Sequence, residues 1–304
     1  MSSRPGVSAR TAINPGSNEY NTFRRALRRA EGSLKRDLPW IGHPDPWAVL
    51  VSEFMLQQTQ VSRVIGPWQK FLTTFPTPSA CANAPLSTVV RLWSGLGYPR
   101  RAKALHDTAA MIRDHFGGVV PSEVDQLRRL PGVGEYTAHA IASFSFAKPV
   151  AVLDTNVGRI LSRALANRTL RLSEARTTSK EVMGRVNSAR FNQSMLDLGA
   201  QFCRAVPRCE TCPVAGSCKW NLEGGPDPAP RSAAVSRAQT AYIGSDRQLR
   251  GQVLAQLGHG AVTKRQLFST LDGIDASKGE DILGGLISDG LVQLRGRTVQ
   301  LAGD

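Results

Sequence analysis

The sequence predicts a mostly helical protein of more than one domain, closed by a small α+β module, and three observations carry that prediction. From Trp47 to Lys148 the chain reads as consecutive helices broken by Pro and Gly, with more helix up to Phe202 and little β signal. Four cysteines then follow in one short segment, Cys203, Cys209, Cys212 and Cys218, with five, two and five residues between them. Residues 241–304 end the chain as three helices and a strand pair, a pattern that suits a winged helix. A chain of 304 residues has room for two or three domains and a sizeable core.

Taken in order, residues 1–18 are rich in Ser, Arg, Pro and Gly and are expected to be disordered. A basic helix follows over Glu19–Arg36, with Arg24, Arg25, Arg28 and Arg29. Helices are expected at Trp47–Gln57, Thr59–Phe75, Leu86–Leu92, Pro99–Phe116, Glu123–Leu130 and Glu135–Phe146, and again at Asn156–Leu165, Ser173–Ser188 and Arg190–Phe202. Residues 223–240 hold Gly224, Gly225, Pro226, Pro228 and Pro230, which marks a linker. Beyond it come helices at Asp246–Leu257, Thr263–Leu271 and Gly279–Leu291, then strands Val292–Arg295 and Thr298–Leu301 turning around Gly296.

Charge bounds the partner. With 38 basic against 24 acidic residues the net charge is +14 and the pI about 10.3, which favours a polyanion. Nucleic acid is favoured over a membrane surface, because no strongly amphipathic basic helix carries a Trp/Phe face. No run of eighteen apolar residues could span a bilayer, and Met1–Gly16 is too polar for a signal peptide. Four thiolates in one segment suit a metal centre, zinc or iron–sulfur, better than two disulfides, which would close only short loops. Cys81 stands apart and reads as a small buried hydrophobe.

Three further motifs carry chemistry. Ala48–Leu56 is apolar almost all round except for Glu53, a carboxylate whose pKa burial would raise towards that of a general acid. Leu130-Pro-Gly-Val-Gly134 joins two expected helices; its glycines permit positive φ and leave free N–H groups at a helix start, a phosphate site. Asp154 follows a Pro149-interrupted loop and has the position of a helix N-cap.

Together these segments resemble the helix-hairpin-helix DNA glycosylase superfamily, which contains endonuclease III, and within it the MutY branch of adenine glycosylases. The resemblance rests on Asp37-Leu-Pro-Trp40, Ser52–Gln60, Gly95-Leu-Gly-Tyr98, Leu130–Gly134, Leu153-Asp-Thr-Asn156, Phe191–Gly199 and the cysteine segment. It implies an all-α, two-domain glycosylase fold. A helical barrel (37–150) would face a cluster domain (19–36 and 151–222) whose cysteines hold a [4Fe–4S] cluster, with residues 241–304 as a winged-helix-like addition.

The resemblance also implies roles. Glu53 would protonate the adenine and help activate water, Asp154 would stabilise the oxocarbenium-like sugar, and Tyr136 and Asn156 would help place them. Lyase relatives carry Lys where Tyr136 stands, so this chain should leave an abasic site uncut. Gln58 would wedge into the duplex, Tyr98 would insert beside the opposite base, and Gly132, Val133 and Gly134 would grip phosphate. The implied partner is double-stranded DNA with adenine mispaired with 8-oxoguanine or guanine, met by a monomer in the cytoplasm at the nucleoid. A G·T mismatch thymine/uracil glycosylase and a non-catalytic, cluster-bearing DNA-binding protein are the alternatives. Two departures stand out. Five residues rather than six separate the first two cysteines, and 241–304 are too short for the NUDIX-like domain that reads 8-oxoguanine in typical MutY proteins.

Overall fold

The computed structural model describes residues 18–236, 242–271 and 276–304, so the N-terminal stretch expected to be disordered lies, but for Asn18, outside the described residues. The helices run α1 Asn18–Leu34, α2 Pro46–Leu56, α3 Ile65–Thr74, α4 Pro78–Asn83, α5 Leu86–Leu92, α6 Arg100–His115, α7 Val124–Leu127 and α8 Glu135–Phe146. They continue with α9 Thr155–Ile160, α10 Leu172–Met183, α11 Ser188–Gln201, α12 Lys219–Glu223 and α13 Asp246–Leu257. The chain closes with β1 Val262–Thr263, α14 Lys264–Ser269, α15 Ala276–Ser288, β2 Val292–Arg295 and β3 Thr298–Leu301. It divides into two compact units, Met1–Arg36 with Pro149–Arg237 and Asp37–Lys148 with Ala238–Asp304.

In the first unit, α1 turns Tyr20, Phe23, Leu27 and Leu34 inward, while Arg25, Arg28 and Arg29 stay exposed. That buried stripe meets Val182 and Met183 of α10 and Met195 and Leu198 of α11 in one apolar core. The expected helix Asn156–Leu165 is α9 continued by a π-helical stretch, Leu161–Ala166. Residues 226–236, expected to form a linker, are packed instead. Ser232 Oγ accepts the Leu170 N–H at 3.1 Å, and Ala233 N–H reaches the Leu170 carbonyl at 3.0 Å. Pro and Gly stopped the helix there without preventing the chain from docking.

In the second unit, α2 is buried from Trp47 through Met55. Asp45 starts it, its Oδ1 accepting the Trp47 N–H at 2.9 Å with Pro46 at the first helical position. Trp47 and Trp68 donate their indole N–H groups to the Phe75 and Ala48 carbonyls at 3.0 and 2.9 Å, which satisfies buried polar groups in an apolar setting. The expected helix Thr59–Phe75 is a 3-10 turn, Val61–Arg63, followed by α3. Helix α4 was not anticipated, although Thr77 caps it by accepting the Ala80 N–H and Pro78 opens it.

The C-terminal segment has a core of its own, including Val253, Leu257, Leu267, Leu283, Leu286 and Val299. Its sheet has three strands, not two, in the order β1-β3-β2, all antiparallel. The two-residue β1 is too short to carry an alternating sequence signal. Arg295 pairs with Thr298 across a turn in which Gly296 has φ +61°.

Candidate functional site

Glu53 lies on α2 with 6% of its surface exposed, flanked on the helix by the buried Ser52, Phe54 and Met55. Immediately after this helix the chain enters the loop that carries Gln58, which is exposed and has φ +57°. Tyr98 ends the Gly95–Tyr98 loop with φ +48°. Four non-glycine residues have positive φ among the described residues. Ala147 and Asn167 are helix C-caps, where the left-handed conformation is ordinary, whereas Gln58 and Tyr98 are loop positions. Gln58 is exposed and Tyr98 half-buried, and strained backbone of this kind clusters at functional sites.

One side chain holds both loops, and the sequence reading missed it. Arg101, on α6, is 8% exposed. Its Nη1 donates to the carbonyls of Phe54 and Met55, each at 2.9 Å, and of Gln57 at 2.5 Å. Its Nη2 donates to Thr59 Oγ1 at 2.9 Å and to the Leu96 and Gly97 carbonyls at 3.0 and 2.8 Å. The guanidinium thus caps the C-terminal end of the Glu53 helix and ties it to the Tyr98 loop. Desolvation pulls its pKa down to about 10, so it stays charged at neutral pH. The only sequence signal was a second Arg after Gly-Tyr-Pro, which looks like surface charge.

The glycine hairpin packs against the same helix. Gly132 has φ +74°, and a Cβ there would lie 2.8 Å from Ala104 Cβ and 2.9 Å from Phe54 Cε1. Both conformation and space therefore require glycine. Thr108 Oγ1 donates to the Pro131 carbonyl at 2.7 Å, and Gln57 Nε2 reaches the Gly132 carbonyl at 3.4 Å. Gly134 is the N-cap of α8 and makes no side-chain capping hydrogen bond to its first turn. Val133 is buried, so any contact it makes with a ligand is through its backbone. Tyr136 sits half-buried in the first turn of α8.

In the first unit Asp154 caps α9. Its Oδ1 accepts the Val157 N–H and its Oδ2 accepts from Asn156 Nδ2, both at 2.7 Å. Arg159 then donates to Asn156 Oδ1 at 2.5 Å, to the Gly199 carbonyl at 3.2 Å and to the Cys203 carbonyl at 2.6 Å. Burial pushes the Asp154 pKa up, and the Val157 and Asn156 hydrogen bonds and the Arg159 charge oppose that rise without cancelling it. The segment Phe191–Gly199 explains itself here. Asn192 accepts the Val152 N–H at 3.1 Å and donates to the Val150 carbonyl at 2.8 Å, pinning the approach to Asp154. A Cβ on Gly199 would meet Asn156 Cβ at 2.5 Å, so only glycine lets α11 come this close to α9.

All four cysteines of the segment line one cavity, together with Ile160, Leu198 and Trp220, and none is in a disulfide. Among the described residues no group of three or more His, Cys, Asp or Glu is arranged around a single ion. As thiols, Cys203, Cys212 and Cys218 have pKa values raised by burial, the last to about 11. The shortened first loop is stitched by Arg163, whose side chain is 2% exposed. It donates to Cys203 Sγ at 3.5 Å and to the Arg204 and Ala205 carbonyls at 2.6 and 3.2 Å, while Asp227 pairs with it at 2.5 Å.

Residues 51–187 match the model of a family described as HhH-GPD superfamily base excision DNA repair protein. An adenine DNA glycosylase of Mycolicibacterium smegmatis is 40% identical, the alignment covering 85% of this chain and 88% of the relative. The Mycobacterium tuberculosis enzyme of the same name is 44% identical over 72% of this chain and 73% of its own. The human one is 37% identical over 66% of this chain and 40% of its own. Among solved structures, a thermostable thymine-DNA glycosylase superposes with a TM-score of 0.62 at 24% identity, covering 67% of this chain and 97% of its own. Endonuclease III in a trapped covalent DNA intermediate gives 0.59, also at 24% identity, with the same coverage. These two likenesses are of fold.

Proposed function

The chain belongs to the HhH-GPD superfamily of base excision DNA repair proteins, and from that premise we propose that it is a monofunctional adenine DNA glycosylase. It hydrolyses the N-glycosidic bond of adenine mispaired with 8-oxoguanine or guanine in double-stranded DNA and leaves an abasic site. The observation that carries this reading is Glu53, a carboxyl group buried on an otherwise apolar helix, in a chain 40% identical to an adenine DNA glycosylase.

Glu53 delivers a proton to the adenine ring, so the base departs neutral as the C1′–N9 bond breaks, and the carboxylate then takes a proton from the attacking water. Asp154, as the anion, stabilises the positive sugar; its hydrogen bonds from Asn156 and Val157 favour that charged form. Tyr136 offers a hydroxyl for positioning and no amine for Schiff-base chemistry. Gln58 and Tyr98 engage the opened duplex, and the Gly132–Gly134 hairpin holds phosphate through backbone N–H groups. The barrel comprises residues 37–150 and the cluster domain 19–36 with 151–222, and the protein acts as a monomer at the nucleoid. No helix among the described residues is long and apolar enough to cross a membrane.

Cys203, Cys209, Cys212 and Cys218 would hold a [4Fe–4S] cluster. The four side chains line one cavity, and the buried Arg163 beside it would supply a positive charge and a hydrogen bond to sulfur. Such a group, bound there, would cross-link the 203–218 segment. Duplexes with A or T opposite guanine or 8-oxoguanine, incubated with enzyme and then alkali, test the function. Cleavage only at A-containing duplexes, and only after alkali, is the expected result. Cleavage at T, or none at all with DNA still bound, would replace the reading by a thymine glycosylase or a DNA-binding protein.

A further inference from the structure

Within the second unit, the C-terminal module closes one side of a groove whose other side comes from residues 58–63 and 90–99. Helix α13 and the residues on either side of it face the Gln58 and Tyr98 loops across a cavity of about 840 Å³. Arg63, Arg91, Arg247 and His259 line it, and no carboxylate among the described residues does. A cationic groove without acidic lining favours a polyanion, and a low-dielectric wall strengthens that preference.

The module is tied to the barrel by specific polar contacts. Arg91 meets Asp304 at 2.7 Å and the Gly258 carbonyl at 3.0 Å. Arg100 meets Asp289 at 2.7 Å, and Arg250 binds the same carboxylate. The backbones come close as well, since a Cβ on Gly303 would lie 3.2 Å from the Leu86 nitrogen.

Within the groove one contact joins the module to a loop side chain. Arg247 Nη1 donates to Tyr98 Oη at 2.6 Å, and its guanidinium carbon lies 5.5 Å from the centre of the Tyr98 ring. Arg101 lies 5.4 Å from the same ring centre. Two guanidinium groups therefore fix the orientation of a tyrosine whose backbone is already strained.

We propose that this groove binds the sugar–phosphate backbone of the DNA strand that meets Tyr98, and that Arg247, which lines it, both offers its charge to a phosphate and aims Tyr98 at the strand. The inference rests on the DNA-glycosylase reading for its choice of polyanion. It assigns the module a direct part in holding DNA, through residues that lie outside the matched family segment 51–187.

The test uses the full chain with its cluster and a duplex carrying a non-cleavable abasic-site analogue. Arg247→Ala should weaken binding about ten-fold at fixed salt, the usual cost of losing a charged hydrogen-bond partner. It should also lower the slope of log affinity against log salt by about one. Tyr98→Phe removes the same hydrogen bond, so Arg247→Ala combined with Tyr98→Phe should cost less than the two single losses added. Arg247→Lys, which keeps charge without the planar fork, should fall between wild type and Ala in affinity and retain the salt slope. Arg265→Ala, at an exposed site outside the groove, should bind as wild type. Additive losses, an unchanged salt slope in Arg247→Ala, or an equal loss in Arg265→Ala would overturn the proposal. A wild-type protein that binds DNA with these variant effects but excises no adenine would sink the glycosylase reading and leave the groove standing.

Discussion

On the proposed reading, Glu53 and Asp154 are the same functional group put to opposite uses, and their surroundings differ. Glu53→Gln keeps shape and removes the transferable proton, so single-turnover adenine excision should fall by about 10³-fold. Asp154→Asn should do comparable damage by removing the anion, and DNA affinity should change little in either variant. Asp154 also sets a pH limit. Its pKa is raised by burial, so the reactive anion is lost as pH falls through a value above the ordinary Asp range. Asn156→Ala removes a donor that favours the anion, which raises that pKa further. The acid limb of the excision rate should therefore move to higher pH in Asn156→Ala, as a single-turnover pH series would read out. Tyr136→Lys tests the absence of lyase chemistry. Borohydride should trap a DNA adduct with the Lys variant and not with wild type. The burial of Glu53 and the N-cap position of Asp154 were legible in the sequence because a charge inside an apolar run and an Asp at a helix start are local signals, whereas their proposed roles come from the family resemblance. Arg101 was not legible, because nothing local distinguishes a surface arginine from one that gathers seven backbone and side-chain oxygens from a helix end and two loops.

At the scale of elements, the helix carrying Glu53 has an unusual C-terminal end. Its last carbonyls accept hydrogen bonds from Arg101, and no glycine turn follows them. Arg101→Ala would leave buried carbonyls unpaired, and thermal unfolding should show a loss of about 2–4 kcal/mol, the range for breaking charged hydrogen bonds in the interior. Amide exchange should rise in residues 54–59 and 95–98 together, since one side chain restrains both. The pattern of Pro and Gly made α2, α5, α6 and α8 predictable to within a few residues. It missed α4, which is only six residues long, and β1, which has two and owes its existence to pairing with β3. Short elements are decided by their partners, and no local periodicity announces them.

At the scale of the whole molecule, four cysteines with no disulfide form one cavity wall, beside an arginine whose contacts run through the shortened loop. Cys209→Ser should lower bound iron below about four per chain and bleach the absorption near roughly 400 nm, with a fall in soluble yield. Iron analysis and an absorption spectrum of anaerobically prepared protein check this, and stoichiometric zinc in active wild type would refute the cluster. The Arg159 contacts run from the Cys203 carbonyl to Asn156, so loss of the cluster should also slow excision in protein that still binds DNA.

The sequence alone determined the helical class, the order of the motifs, the cysteine set and the two carboxylates. Each of these is written in residue type and spacing over fewer than twenty positions, which is the range over which helical periodicity and caps operate. Tertiary structure decided that Arg101 ties two loops and that Gly199 exists to admit Asn156. It also decided that the Pro-rich segment after Glu223 is packed rather than loose, and that Arg247 reaches Tyr98. Those facts depend on side chains far apart in the chain meeting at hydrogen-bond distance. Such meetings are fixed by how the helices pack, and packing is a property of surfaces brought together rather than of any one stretch of sequence.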